Sequence, residues 1–241
     1  MIHQLNRIKT KLSFISQYTT SIFKDKYECP MCGYIGAFFD VNPPTGYRKN
    51  CLCPRCNSAE RHRLQKLVCD RIFENVDLTN ASILHFAPEP YFAKYFRDKF
   101  QNYTSADLLM KNVDIKCDMT KLPFKEKTFD FIFASHVLEH ISDDMKALSE
   151  IKRILKPGKS IAVLPVPIVC EKTVEYLEPN PLESEHIRAP GKDYFERYMQ
   201  YFSKVQIFTS SDFSEKHQTF IYEVGNALGE KRDDYVPVCF L

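Results

Sequence analysis

The chain contains no apolar stretch approaching the roughly 18 residues that a bilayer-crossing helix requires, which excludes an integral helical membrane protein. Its first 30 residues lack a continuous apolar core followed by a small-residue cleavage site, so no secretory leader is expected. Internal repeats and low-complexity tracts are absent, and with them the repeat architectures. Excess charge of one sign is scarce too: 33 Lys+Arg oppose 31 Asp+Glu, a net +2. Glycine is sparse at seven residues, with none between Gly46 and Gly158. What is present is globular in composition, 44% hydrophobic and 27% charged over 241 residues, enough for one ordinary α/β domain or a domain with a small appendage. The nine cysteines are odd in number, and four form two C-P-x-C pairs. That usage fits a metal in a reducing compartment better than a disulfide framework, so a cytoplasmic location is expected.

The charge is unevenly placed. Residues 1–75 carry 12 Lys+Arg against 6 Asp+Glu, and the remainder 21 against 25. A basic front on a mildly acidic body is either a solvated face or an attraction for RNA, anionic lipid or an acidic substrate. Within residues 1–28, Ile2, Leu5, Ile8, Leu12 and Ile15 recur at helical spacing between Arg7, Lys9 and Lys11. That predicts an amphipathic helix, docked on the body of the protein or on a second subunit as a homodimer, in preference to a membrane surface.

From residue 82 onward, short apolar runs alternate with helical ones. The predicted strands are Ser82–Ala87, Tyr103–Ala106, Val113–Cys117, Phe129–Ser135, Ser160–Val166, Val205–Thr209 and Thr219–Val224. Helices are predicted near Tyr91–Phe100, Asp143–Leu155 and Lys192–Phe202, and another from an Asn57 N-cap, with Glu60 at its third position, to Phe73. This alternation predicts a doubly wound, mostly parallel seven-stranded sheet over residues 58–241, preceded by a small module at 29–57. Such sheets bind ligands at the carboxyl ends of their strands.

The module holds Cys29-Pro30-Met31-Cys32-Gly33 and Cys53-Pro54-Arg55-Cys56-Asn57. Two thiolates two residues apart grip one ion, and the Gly or Asn that follows tolerates the left-handed turn such a knuckle needs. Cys29, Cys32, Cys53 and Cys56 therefore suit a structural tetrahedral Zn²⁺ with no open position; an iron centre and free buried thiols are the alternatives. Cys51 is a spare thiol able to substitute. Cys69, Cys117, Cys170 and Cys239 read as core residues.

The segment LPFKEKTFDFIFASHVLEHISDDMKALSEIKRILKPGKSIAVLPVP at 122–167 resembles a run of the class I S-adenosylmethionine-dependent methyltransferases, covering their fourth strand, the next helix and the turn into the fifth strand. The resemblance extends from residue 82 to the C-terminus. CPRCNSAERHR at 53–63 and SEHIRAPGKDYFERY at 184–198 further resemble a bacterial subgroup that joins a zinc ribbon to this domain, some of whose members look tied to surface-glycan biosynthesis. The resemblance implies a Rossmann-like fold and S-adenosyl-L-methionine as cofactor. It places Asp118 at the adenine amino group and Met119 on the adenine ring. Asp107, ending the second strand, can accept both ribose hydroxyls. Ser135 and His136 leave the fourth strand beside the expected methyl donor. The chain departs from the family in its first loop, Ile83–Pro90, where Ala87 and Glu89 stand in place of glycines and His85 in place of an acidic residue. Glu89 can instead meet the cofactor ammonium through a charge-assisted hydrogen bond.

Transfer to an oxygen or nitrogen acceptor needs alignment and a base of near-neutral pKa, for which histidine is suited. His136 and His186 are the catalytic candidates, with Arg188, Glu183 and Glu185 offering an anion clamp and further carboxylates; His136 serves equally as a loop-ordering or cofactor-contacting residue. The leading expectation is a methyltransferase acting on a small molecule or glycan precursor. Two readings compete with it. One is RNA methylation, with Arg55, Arg61, His62, Arg63 and Lys66 gripping phosphates. The other is a noncatalytic interaction protein whose cysteine module binds a partner.

Overall fold

The computed structural model describes residues 25–224 and 230–241; most of the predicted N-terminal amphipathic helix, residues 1–24, lies outside them. The chain forms two compact units, Met1–Leu67 with Ser210–Asp234, and Val68–Thr209 with Tyr235–Leu241. The division falls inside the helix α1 (Glu60–Phe73). It differs from a break at residue 58, because residues 58–67 and 210–234 group with the cysteine module.

The larger unit is built on a seven-stranded sheet. In chain order its strands are β1 (Ser82–Phe86), β2 (Asn102–Asp107), β3 (Ile115–Lys116), β4 (Phe131–Ala134), β5 (Ile161–Val163), β6 (Lys204–Thr209) and β7 (Tyr235–Phe240). They lie side by side as 6-7-5-4-1-2-3. Pairings from β3 to β5 are parallel, and β7 runs antiparallel to both of its neighbours. Because helices cover both faces of such a sheet, its strands are continuous apolar runs. All four residues of β4 and all three of β5 are buried. The chain leaves β1 in one direction to β2 and reaches β4 on the other side, which puts the switch point at β1/β4, where open α/β sheets take ligands.

Two helices frame that switch point. The helix α2 (Pro90–Lys99) begins with proline in its first turn, where no intrahelical N–H is lost, and buries Phe92 and Phe96 four residues apart. The helix α3 (Asp144–Ile154) is capped by Asp143, whose carboxylate accepts the Lys146 N–H at 2.9 Å. Its inner face of Ala147, Leu148, Ile151 and Ile154 is fully buried, and Pro157-Gly158 follows its end. The predicted Lys192–Phe202 helix is shorter than expected: a 3₁₀ turn at Lys192–Tyr194 leads into α4 (Phe195–Met199). Tyr194 and Tyr198 are fully buried in it, and the Tyr198 hydroxyl donates to Leu164 O at 2.8 Å.

Two expectations are corrected. Thr219–Val224 does not join the sheet; only Ile221–Tyr222 is extended, paired with Lys231–Arg232 in a hairpin of the smaller unit. The seventh strand is Tyr235–Phe240. Nor does Asn57 cap α1. Its φ of 57° places it in the left-handed turn of the second cysteine knuckle, and the helix starts at Glu60, where the His62 ring Nδ1 accepts the Ala59 N–H at 3.0 Å.

In the smaller unit, short hairpins pair Tyr27–Glu28 with Ile35–Gly36 and Phe39–Val41 with Arg48–Leu52. Fully buried Arg63 ties the N-terminal and 210–234 segments together. Its guanidinium donates to Gln218 O at 2.7 and 2.9 Å, to Cys51 O at 2.9 Å and to Ser58 O at 2.6 Å, and it lies 4.5 Å from the Phe38 ring centre. A guanidinium so engaged cannot grip RNA phosphate, and His62 is buried as well, so two of the five residues expected to do so have structural positions.

Candidate active site

The residues expected at the cofactor collect on loops at the carboxyl edge of the sheet. After β1, Ala87 has a φ of 45°, the left-handed conformation that glycine adopts without strain, and its N–H donates to Ala106 O at 3.0 Å. The turn for which the resemblance implies glycine is thus made here with alanine, at roughly 1–2 kcal/mol of local cost. Glu89 occupies the N-cap position of α2 with φ −74° and ψ 139°, yet its side chain makes no capping bond there. His85 points instead into the protein. Its ring meets Phe96, Phe133 and Tyr103 edge-on at 5.1–5.9 Å, and its Nδ1 lies 3.0 Å from the Tyr103 hydroxyl. Burial pushes this imidazole down to about 3, with the charge of Glu89 opposing, so it is neutral at pH 7.

Asp107 ends β2, and its Oδ1 accepts the N–H groups of Leu109 and Met110, both at 2.7 Å. This turn fixes the carboxylate and leaves Leu108 and Leu109 largely exposed beside it. Past β3, exposed Asp118 is held the same way, with Oδ1 accepting the Thr120 N–H and hydroxyl at 2.8 Å, while Met119 is buried. Ser135 and His136 follow β4. His136 has a φ of 54° and donates its N–H to Pro165 O at 2.9 Å, which ties the ends of β4 and β5.

The 3₁₀ turn Leu138–His140 and the hairpin of Val174–Asn180 with His186–Ala189 complete this edge. Glu139 is fully buried; His136 Nδ1 stands 3.3 Å from its Oε1, and His186 Nε2 3.8 Å. Burial holds the His186 ring below its ordinary pKa, and Glu139 pulls in the opposite direction. Arg188 does not form the expected anion clamp. It is buried and donates to Leu138 O at 2.8 Å, Ile141 O at 2.7 Å, Ser142 O at 3.2 Å and Glu175 Oε2 at 2.9 Å. Its buried guanidinium spends most of its donors on these partners and pins the 138–142 turn to the hairpin. Glu185 is exposed, with a φ of 66°. Beneath the same turn, buried Asp144 accepts the Tyr194 hydroxyl and an Arg197 N–H, a network that sequence reasoning missed.

Much of the 122–167 run has a structural reason. Glu150 accepts the Leu122 N–H at 2.9 Å and two Arg153 N–H groups at 2.8 Å, and Arg153 in turn donates to Phe124 O and Leu122 O. Asp130 accepts the Ser82 N–H and hydroxyl at 2.8 Å and Lys156 Nζ at 2.6 Å, locking the starts of β1 and β4 together. The depression lined by Glu126, Lys127, Lys152 and Pro157 lies at the amino edge of the strands and contains none of the expected site residues.

In the smaller unit, Cys29, Cys32, Cys53 and Cys56 place their sulfurs within 4.8 Å of one another. Cys29 Sγ lies 3.7 Å from Cys56 Sγ, and Cys32 Sγ 3.6 Å from Cys53 Sγ. Those separations are too long for disulfides and match the roughly 3.8 Å between thiolates bound at 2.3 Å around a tetrahedral ion. Gly33 and Asn57, with φ of 70° and 57°, donate N–H to Cys29 O and Cys53 O and close the two knuckles. Cys51 stands apart from this set. Its thiol is buried, donates to Glu60 Oε2 at 3.1 Å and has its pKa raised by that burial and by the Glu60 charge, so it is no substitute ligand.

Comparison with known proteins bears on the larger unit. Residues 71–163 match the family described as methyltransferase domain. That match spans 93 of the chain's 241 residues. A curated relative, the demethylmenaquinone methyltransferase of Streptomyces avermitilis, is 46% identical over 46 residues, 19% of this chain and 20% of its own length. The match spans only about a seventh to a quarter of the length of such curated relatives. Among solved structures, an S-adenosylmethionine-dependent methyltransferase from Mesorhizobium loti superposes with a TM-score of 0.51 at 10% identity, covering 75% of this chain and all of that one. Phosphoethanolamine N-methyltransferase 2 of Haemonchus contortus, bound to phosphomonomethylethanolamine and S-adenosylhomocysteine, superposes at 0.52 with 14% identity, over 72% of this chain and 51% of its own. At these identities the superpositions establish a Rossmann-like fold for the larger unit and nothing further. No helix among the described residues is long and apolar enough to cross a membrane.

Proposed function

We propose that this chain is an S-adenosylmethionine-dependent methyltransferase that modifies an oxygen or nitrogen of a small molecule or glycan precursor. The observation that carries the reading is the convergence of Ala87, Glu89, Asp107, Asp118, Met119, Ser135 and His136 on the carboxyl-edge loops of a methyltransferase domain. The donor set suits the cofactor. Fixed carboxylates at the ends of β2 and β3 match hydroxyl and amino donors, and buried Met119 offers an apolar surface to a ring. Since Asp107 Oδ1 is engaged by two backbone amides, Oδ2 is the oxygen most open to the ribose hydroxyls. Asp118 receives the adenine amino group. The left-handed turn at Ala87 lets backbone approach the methionine end, where Glu89 meets the ammonium. His85 acts at this site by packing beneath the loop.

When bound, the cofactor supplies an electrophilic methyl group on a sulfonium. The protein's part is to hold the acceptor in line and to take its proton. His136 is the proton acceptor in this reading, and His186 belongs to the acceptor side. In the smaller unit, Cys29, Cys32, Cys53 and Cys56 hold a structural Zn²⁺, a role their spacing and closed geometry support.

The test is the cofactor affinity of Asp107→Ala. Loss of a charged hydrogen-bond acceptor should weaken S-adenosylmethionine binding by about 1–3 kcal/mol. Unchanged affinity places the cofactor elsewhere.

A further inference from the structure

The turn after β4 carries a cluster of metal-ligating side chains for which the proposed methyl transfer assigns no metal. Glu139, His140 and His186 each bring one metal-ligating atom to within 4.8 Å of the other two. Glu139 is fully buried, and neither of its carboxylate oxygens has a hydrogen-bond partner. The His136 ring, with Nδ1 3.3 Å from Oε1, compensates that charge only when it is protonated. A buried carboxylate left in this way costs several kcal/mol unless a cation compensates it.

The surroundings of Glu139 fit a metal better than another hydrogen bond. His186 turns Nε2 toward Glu139 at 3.8 Å and Nδ1 toward Glu183 at 3.8 Å. Glu183 is itself held by the Tyr176 hydroxyl at 2.9 Å. A carboxylate behind one nitrogen of an imidazole is the arrangement that orients the other nitrogen as a metal ligand. The His140 and His186 rings meet nearly perpendicular, 4.7 Å apart. Ligands bound at about 2.0–2.2 Å around a tetrahedral zinc stand about 3.4 Å from one another, so closing this cluster onto an ion needs only small side-chain shifts. Access exists as well, since His140 is exposed and His186 partly so. Arg188 fixes the two backbone segments that carry the ligands.

We propose that Glu139, His140 and His186 bind one divalent transition-metal cation of the zinc class, at a site distinct from the four-cysteine cluster. Two imidazoles and one carboxylate leave a coordination position open, unlike four thiolates. His186 then acts as a ligand, and proton acceptance at this edge falls to His136. The inference goes beyond the methyltransferase reading, because metal binding is measured without cofactor or acceptor.

The full chain is equilibrated with excess Zn²⁺, freed of unbound metal by gel filtration and analysed for metal. Wild type should retain one equivalent more than His140→Ala, whose exposed position spares the fold, and one more than Glu139→Gln. Because the comparison is a difference, it holds whether or not the cysteine cluster is filled. With Co²⁺ in place of Zn²⁺, the spectrum of wild type minus His140→Ala should show d–d bands without thiolate-to-cobalt charge transfer. Equal metal content in wild type and His140→Ala, or charge transfer in the difference spectrum, overturns the proposal. Failure of the methyltransferase reading alone would appear as absent cofactor binding with the extra equivalent intact.

Discussion

Replacing Arg188 with methionine tests how this edge of the sheet is held together. Methionine keeps the unbranched stem and removes every donor. Leu138 O and Ile141 O would each lose a guanidinium N–H, at 2.8 and 2.7 Å, and Ser142 O a weaker one at 3.2 Å. An acceptor left buried without a partner costs about 1–3 kcal/mol. Asp144, 3.6 Å from the Arg188 guanidinium, would keep Arg197 and Tyr194, so its charge stays compensated. Glu175 is half exposed and recovers water, so it adds little. Two well-buried carbonyls therefore dominate, and the expected loss is about 3–5 kcal/mol, the range for breaking a buried charged interaction from one side. For a chain of this length that lowers the melting temperature by roughly 6–20 °C. Arg188→Lys should recover little, because one ammonium cannot span three carbonyls and a carboxylate. Differential scanning calorimetry reads the shift, and hydrogen exchange at residues 138–142 should accelerate most. A melting temperature within 1 °C of wild type would refute the assignment of Arg188 as the pin of this turn.

Further outcomes follow from the same contacts. Purified protein should contain zinc, and Cys56→Ser should lose one equivalent and destabilise the smaller unit; metal analysis finding no zinc in reduced, freshly prepared wild type rules out the cysteine site. His85 is held neutral with a pKa near 3, below the 6.5 of an exposed ring, so the unfolded chain takes up a proton there that the folded chain refuses. Its stabilising contribution is therefore complete above pH 6.5 and declines as pH falls toward 3, by at most about 1.4 kcal/mol per unit. Replacement by Phe should flatten the melting-temperature profile between pH 7.5 and 5.5 relative to wild type, and parallel profiles would contradict the burial argument.

The sequence made six of the seven sheet strands legible, because β1, β4 and β5 are apolar runs and helices with clear inner faces lie between the strands. The seventh was misread for a physical reason. Tyr235–Phe240 contains Pro237, which lacks a ladder donor, whereas Thr219–Val224 has the better strand composition. In the folded sheet Pro237 contributes its carbonyl, which accepts the Leu164 N–H at 3.2 Å. Local pattern cannot foresee a proline tolerated through its acceptor. The cysteine cluster was legible because two-residue spacing is itself the geometry of a knuckle. Arg63 and Arg188 were read as phosphate or anion contacts because a charge on a string of letters looks exposed. Their real partners, at Gln218 and Leu138, lie 155 and 50 residues away, and only the assembled fold reveals them. Ala87 shows the converse: the loop lacks the expected glycine, yet its backbone still takes the left-handed turn that a glycine would.

The central claim is that the loops carrying Ala87, Glu89, Asp107, Asp118 and Met119 receive S-adenosylmethionine, and isothermal titration calorimetry on the full chain tests it most directly. The account predicts saturable one-site binding of both S-adenosylmethionine and S-adenosylhomocysteine, since both carry the adenosine that the two aspartates recognise. Absence of binding by either compound to folded, metal-replete protein would contradict it.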